Sequence, residues 1–177
     1  MKWLSKKHVM VDIETLGTTC DSVILSIGAC KFDFTSGIDY NDTFYINIDP
    51  QSCKDVGMKI DQATVKWWSQ QSKEAIAALK TPKPVPVTEA IQGFCDWFKG
   101  DFIWCRGMFD VPFLEYAYKV TGVASPYKYW QAMDHRTATT MLDVNFSAQR
   151  SGAADHHNAL GDAIAQTKTL IELFKKD

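Results

Sequence analysis

The stretch Val11-Asp12-Ile13-Glu14-Thr15-Leu16-Gly17 ends an apolar run, His8-Val9-Met10-Val11, with two carboxylates two residues apart. On a β-strand, residues i and i+2 point to the same face. Asp12 and Glu14 therefore project together, and Val9, Val11 and Ile13 project the other way. Adjacent carboxylates repel, so ionising both is costly unless a cation lies between them. Hard divalent cations such as Mg²⁺ and Mn²⁺ take oxygen ligands of this kind. The pair reads as half of a metal site at the end of a strand.

Further acids lie downstream. Asp110 sits in Trp104-Cys105-Arg106-Gly107-Met108-Phe109-Asp110-Val111-Pro112-Phe113-Leu114. Asp162 sits in His156-His157-Asn158-Ala159-Leu160-Gly161-Asp162-Ala163, with His157 five residues before it. Asp-x-Glu, Phe-Asp-x-x-x-Leu and His-x-x-x-x-Asp, in that order, resemble the three exonuclease motifs of the DEDDh 3′–5′ exonucleases. Segments 16–29, 64–72 and 134–137 look like the phage and actinobacterial 3′–5′ exoribonuclease-like branch. The resemblance runs over residues 9–173.

Several expectations follow from that resemblance. The fold is expected to be α/β and ribonuclease H-like, with a mixed central sheet whose first three strands are antiparallel, flanked by helices. Residues 1–177 are expected to form one exonuclease domain. The resemblance implies that Asp12, Glu14, Asp110 and Asp162 hold two divalent cations, Mg²⁺ or Mn²⁺. It implies that His157 is the general base and that Thr15, Leu16 and Gly17 cradle the terminal nucleotide. Phe109 is placed to stack on a base or to fill core. The implied reaction is removal of nucleoside 5′-monophosphates from the 3′ end of single-stranded or 3′-overhang RNA or DNA. A homodimer is compatible with the resemblance. The alternative is a non-catalytic or proofreading module docked on a polymerase or repair protein, which predicts loss of an acid or the His; all five are present.

Composition narrows the classes. Hydrophobic residues make up 46% of the chain and charged residues 23%, within the ordinary range for a globular domain. The net charge of -2 argues against coating long duplexes, which favours a basic surface. An enzyme gripping a few terminal nucleotides needs less positive charge, because bound cations supply it locally. The five Cys include no C-x-x-C pair and read as reduced thiols. No apolar run approaches membrane-spanning length, and the first residues lack a signal-peptide core, so a cytoplasmic location with no membrane partner is expected.

Strands are expected over residues 8–13, 23–34, 43–48 and 102–105, with a turn at Ser36-Gly37. Helices are expected over 61–72 with Asp61 as N-cap, 73–79, 88–98 with Thr88 as N-cap, 111–120 and 159–175. In the last helix Leu160, Ile164, Thr167 and Ile171 form the expected apolar stripe. Asp162 lies about 200° from Leu160, on the polar side, so by itself it would be a solvated residue. Residues 149–155 are small and polar and read as a loop bringing His157 over the site. Of the adjacent Trp67 and Trp68, one is expected to face the core and the other to form a substrate wall or a contact. Arg106 and Arg136 could reach phosphates or form structural ion pairs.

Overall fold

The computed structural model describes residues 3–142 and 157–175. A five-stranded sheet runs in the order β3-β2-β1-β4-β5, with β1 His8–Thr15, β2 Ile24–Asp33, β3 Gly37–Asn47, β4 Phe102–Cys105 and β5 Ala132–Asp134. β1, β2 and β3 pair antiparallel, whereas β4 lies parallel to β1 and β5 parallel to β4. This is the mixed sheet expected from the sequence. The parallel strands need long crossovers, and helices supply them: α1 Pro50–Asp55, α2 Gln62–Trp68, α3 Lys73–Ala78 and α4 Val87–Trp97 before β4, then α5 Asp110–Thr121 before β5. α6 His135–Met141 follows β5, and α7 Ala159–Phe174 is the last described helix.

The differences from expectation have local causes. β3 begins at Gly37, not at residue 43, because it is an edge strand whose Asp39, Tyr40 and Asn41 are exposed and carry no alternation. Its start is set by the turn: the Asp33 carboxylate accepts from Thr35 N and Ser36 N, both at 2.7 Å, and Gly37 takes a φ of 96°. α4 starts at Val87, with Pro86 rather than Thr88 at the cap and no side-chain cap bond. The Val87 N–H instead donates to Ser52 Oγ at 2.9 Å, a tertiary cap that no local signal reveals. Asp61 caps α2 as expected, accepting from Ala63 N at 2.9 Å. α1, β5 and α6 were not anticipated; all are short, and β5 is held in the sheet by β4 alone.

Two cores lie on opposite faces of the sheet. Val9, Val11 and Ile13 point to the face covered by α4 and α5, packing with residues such as Ile91, Phe94 and Leu114. Met10 points to the other face, where Cys30, Phe32 and Trp104 meet Ala163, Leu170 and Ile171 of α7. Among the described residues, no helix is long and apolar enough to cross a membrane.

The seat of α7 depends on Gly28, which pairs with Asp12 across β1 and β2. A Cβ on Gly28 would overlap the backbone of Ala159 and Leu160. Gly28→Ala is therefore expected to lower stability by about 1–3 kcal/mol, the usual cost of overpacking. It should also reduce hydrolysis by shifting the first turn of α7. Urea melts paired with turnover would check this; a variant with wild-type stability and rate would show that the helix does not need this close approach.

Candidate active site

The alternation of β1 places Asp12 and Glu14 on the Met10 side, under α7. Because Gly28 lets the helix start lie directly on the strands, Asp162 in the first turn of α7 reaches the same spot. Asp12, Glu14 and Asp162 can each offer a carboxylate oxygen such that all three atoms lie within 4.8 Å of one another. The expected phase of α7 is corrected here. Its buried face is Ala159, Ala163, Gln166, Thr167 and Leu170, while Leu160 and Ile164 are only half-buried. Asp162 borders that face rather than lying opposite it. Small residues make the close contact, and a search for large apolar side chains passes over them.

Asp110 follows the neighbouring strand, β4. The β1–β4 ladder ends at Met10–Trp104, and the chain then turns through Gly107 and Met108, both at positive φ, into α5. Asp110, buried in the first turn of α5, accepts a hydrogen bond from Ile13 N at 3.1 Å, an N–H beyond the end of the ladder. It lines the same cleft as the other acids but stands outside their close triplet.

Burial and mutual repulsion dominate the electrostatics. Burial, then the charges of Asp110, Glu14 and Asp162, hold the Asp12 carboxyl well above the usual carboxylate range. Glu14 is pushed up to about 8 by burial and by Asp162 and Asp110. Burial raises Asp110 to about 7 against the pull of hydrogen bonds from the Ile13, Asp110 and Arg106 backbone. An oxygen-only cluster of this kind suits a hard divalent cation, which lowers the cost of ionising all its members.

These shifts carry a stability prediction. Unfolded carboxyls titrate near about 4, whereas Glu14 and Asp110 keep their protons in the fold up to about 8 and 7. Between those values the native state binds more protons than the unfolded chain, so stability falls as pH rises. Without metal, the melting temperature is expected to drop from about pH 5 to about pH 8. Millimolar Mn²⁺ should raise it most at the upper end, because a ligand bound only by the native state stabilises it. A metal-free melting curve that is flat over this range would contradict the repulsion account.

Residues not singled out from the sequence complete the site. Gln166, one turn after Asp162, donates from Nε2 to Asp12 Oδ1 at 2.7 Å. Its backbone carbonyl accepts from His135 Nε2 at 3.1 Å, tying α7 to α6. His135 is buried, and desolvation with the nearby Arg106 charge lowers its pKa to about 4, so it acts as a neutral donor. The available signals were weak: a glutamine four residues after an expected acid, and a glycine inside a strand.

Two clefts meet at Glu14. One, about 420 Å³, is lined by the four acids, His157, Gln166, Arg106 and Arg136. The other, about 470 Å³, is lined by Glu14, Thr15, Gly17, Thr18, Trp67, Trp68 and Phe109, among others. Thr15 Oγ1 donates to the Gly17 carbonyl at 2.7 Å, closing the turn. A Cβ at Gly17 would overlap the Ser22 hydroxyl. Leu16 packs half-buried against the core. The Phe109 ring is 38% exposed and leans on Phe113 at a centroid distance of 4.6 Å. His157 is in the acid cleft; His156 and residues 149–155 lie outside the described residues.

A mixed sheet with antiparallel β1–β3, carboxylates at the end of its central strand and another on the closing helix is a ribonuclease H-like arrangement. Residues 7–174 match the 3′-5′ exoribonuclease Rv2179c-like domain, and the chain belongs to that family. No curated protein is significantly similar in sequence. Among solved structures, E. coli Exonuclease I in complex with a dT13 oligonucleotide superposes with a TM-score of 0.69 and 13% identity, over 97% of this chain and 42% of that one. S. pombe Pop2p in its Mg²⁺- and Mn²⁺-bound form gives 0.64 and 11%, over 98% and 85%. A 3′-exonuclease that recognises the histone mRNA stem-loop gives 0.66 and 10%, over 96% and 82%. At these identities the likeness is one of fold. The chain spans 42% of the length of Exonuclease I.

Proposed function

We propose that the protein is a metal-dependent 3′–5′ exonuclease acting on single-stranded or 3′-overhang RNA or DNA. The observation that carries this reading is the convergence of Asp12, Glu14 and Asp162 within 4.8 Å beside buried Asp110. A docking module would have no need to gather acids at this electrostatic cost.

Asp12, Glu14 and Asp162 would hold the divalent cations, Mg²⁺ or Mn²⁺, with Asp110 at the edge of the set. When bound, such ions supply Lewis-acid stabilisation of phosphate charge and make a water more acidic. Gln166 keeps one Asp12 oxygen fixed through its 2.7 Å hydrogen bond, leaving the rest of the carboxylate for a cation. His157 takes the proton of the attacking water as the general base. Thr15, Leu16, Gly17 and Phe109 surround the terminal nucleotide, with Thr15, Gly17 and Phe109 lining the 470 Å³ cleft. The water adds to the terminal phosphorus and the 3′-oxygen of the preceding nucleotide leaves, so phosphate stays on the 5′ side of the released nucleotide.

The expected result with end-labelled RNA and DNA oligomers is a ladder shortening from a free 3′-hydroxyl, with nucleoside 5′-monophosphates as products. Mn²⁺ or Mg²⁺ should support the reaction and a chelator should stop it. Shortening from the 5′ end, or cutting of closed circles, would overturn the reading.

A further inference from the structure

The two adjacent tryptophans of α2 diverge. Trp68 is 6% exposed, and its Nε1 donates to the Thr15 carbonyl at 2.9 Å, fixing the helix to the end of β1. Trp67 is 41% exposed and lines the nucleotide cleft beside Glu14, Thr15 and Phe109. Its ring meets the imidazole of His157 edge-on at a centroid distance of 4.7 Å and an interplanar angle of 83°. Trp68 forms the second wall, 6.0 Å from the same imidazole at 72°. The indoles are perpendicular to each other, 5.3 Å apart at 81°, so His157 sits in an aromatic corner.

His157 needs such a corner. It precedes Asn158, the N-cap of α7, and so lies outside the helix ladder that fixes Asp162. A proton acceptor must reach within roughly 2.6–3.2 Å of its proton donor. An edge-to-face aromatic contact restricts the ring plane, because the partly positive edge of one ring seeks the negative face of the other.

We propose that Trp67 is a positioning residue for His157: its exposed indole, braced by Trp68, holds the imidazole at the carboxylate cluster. This rests on the reading of His157 as the proton acceptor. It gives Trp67 a role beyond walling the cleft. The ring that lines this cleft also sets the geometry of the group that activates the water.

Single-turnover rates at saturating oligonucleotide and Mn²⁺ test this with Trp67→Ala, Trp67→Phe, His157→Ala and the double variant Trp67→Ala/His157→Ala. Trp67→Ala should slow the step by about 10- to 100-fold, the scale of loss from a misplacement of about 1 Å. Trp67→Phe, which keeps an aromatic face, should restore most of that loss. The double variant should be no slower than His157→Ala, because Trp67 would act only through the imidazole. Trp130, 63% exposed on the short turn before β5, serves as a control aromatic whose replacement by Ala should leave the rate unchanged. If His157→Ala is slow but Trp67→Ala is as fast as wild type at saturation and only binds more weakly, this inference is overturned and the base assignment stands. A double variant slowed by the product of both factors also overturns it. A His157→Ala protein with full rate overturns both.

Discussion

Asp12→Ala is expected to abolish hydrolysis while leaving the metal-free fold about as stable as wild type. Asp12 is the member of the acid cluster most surrounded by like charge, with Asp110, Glu14 and Asp162 all raising its pKa on top of burial. Removing it relieves repulsion, and each unit of pKa so released corresponds to about 1.4 kcal/mol. Against this, Gln166 loses the acceptor for its 2.7 Å hydrogen bond, a loss of about 1–3 kcal/mol for a buried donor. The two effects oppose each other in the alanine variant. They do not oppose each other in Asp12→Asn, which keeps an acceptor for Gln166 while removing the charge. Both variants should be inactive, and Asp12→Asn should melt higher than Asp12→Ala in chelator at pH 8. Asp162→Ala should also be inactive. Substantial turnover by Asp12→Ala would remove the basis for a carboxylate-held metal site.

His157→Ala is expected to slow the chemical step by about 10²–10⁴, the usual range for a lost general base. Metal binding should persist, because Asp12, Glu14, Asp110 and Asp162 remain. The distinguishing measurement is the single-turnover rate across pH at saturating Mn²⁺: the acidic limb should change shape in this variant. His157 lines the acid cleft and contacts Trp67 and Trp68, which supports its selection over its neighbour. His156, one residue further from Asp162, lies outside the described residues, and His156→Ala is expected to cost far less. A crippled His156→Ala beside a nearly normal His157→Ala would shift the assignment by one residue.

The separation between chemistry and geometry is clearest in α7. The motif resemblance marked Asp162 as a candidate, yet of the expected stripe only Thr167 and Ile171 are buried, whereas Leu160 and Ile164 are half-buried, so the true buried face is rotated toward Asp162. The close contact is of the Ala159 and Leu160 backbone against Gly28, with Ala163 buried in the core beside it. Such contacts contribute closeness rather than apolar bulk, and a hydrophobic period registers only bulk. The same limit hid Gln166, whose part depends on which way the helix is turned over Asp12.

The sequence by itself determined the candidate acids and the strand that carries two of them. Alternation along residues 8–14 assigns Asp12 and Glu14 to one face, and the resemblance of the later motifs points to Asp110, His157 and Asp162. Family membership follows from the same residues and covers 7–174. Only the tertiary structure decided that Asp12, Glu14 and Asp162 form the close triplet with Asp110 beside it, bound to Ile13 N. It alone decided that Trp68 turns inward while Trp67 meets His157. The physical reason is range. Strand alternation and helix caps arise from neighbours a few residues apart, whereas the Asp12–Gln166 contact joins positions 154 residues apart. Its geometry is set by how closely two backbones can pack, which depends on the absence of a side chain at Gly28.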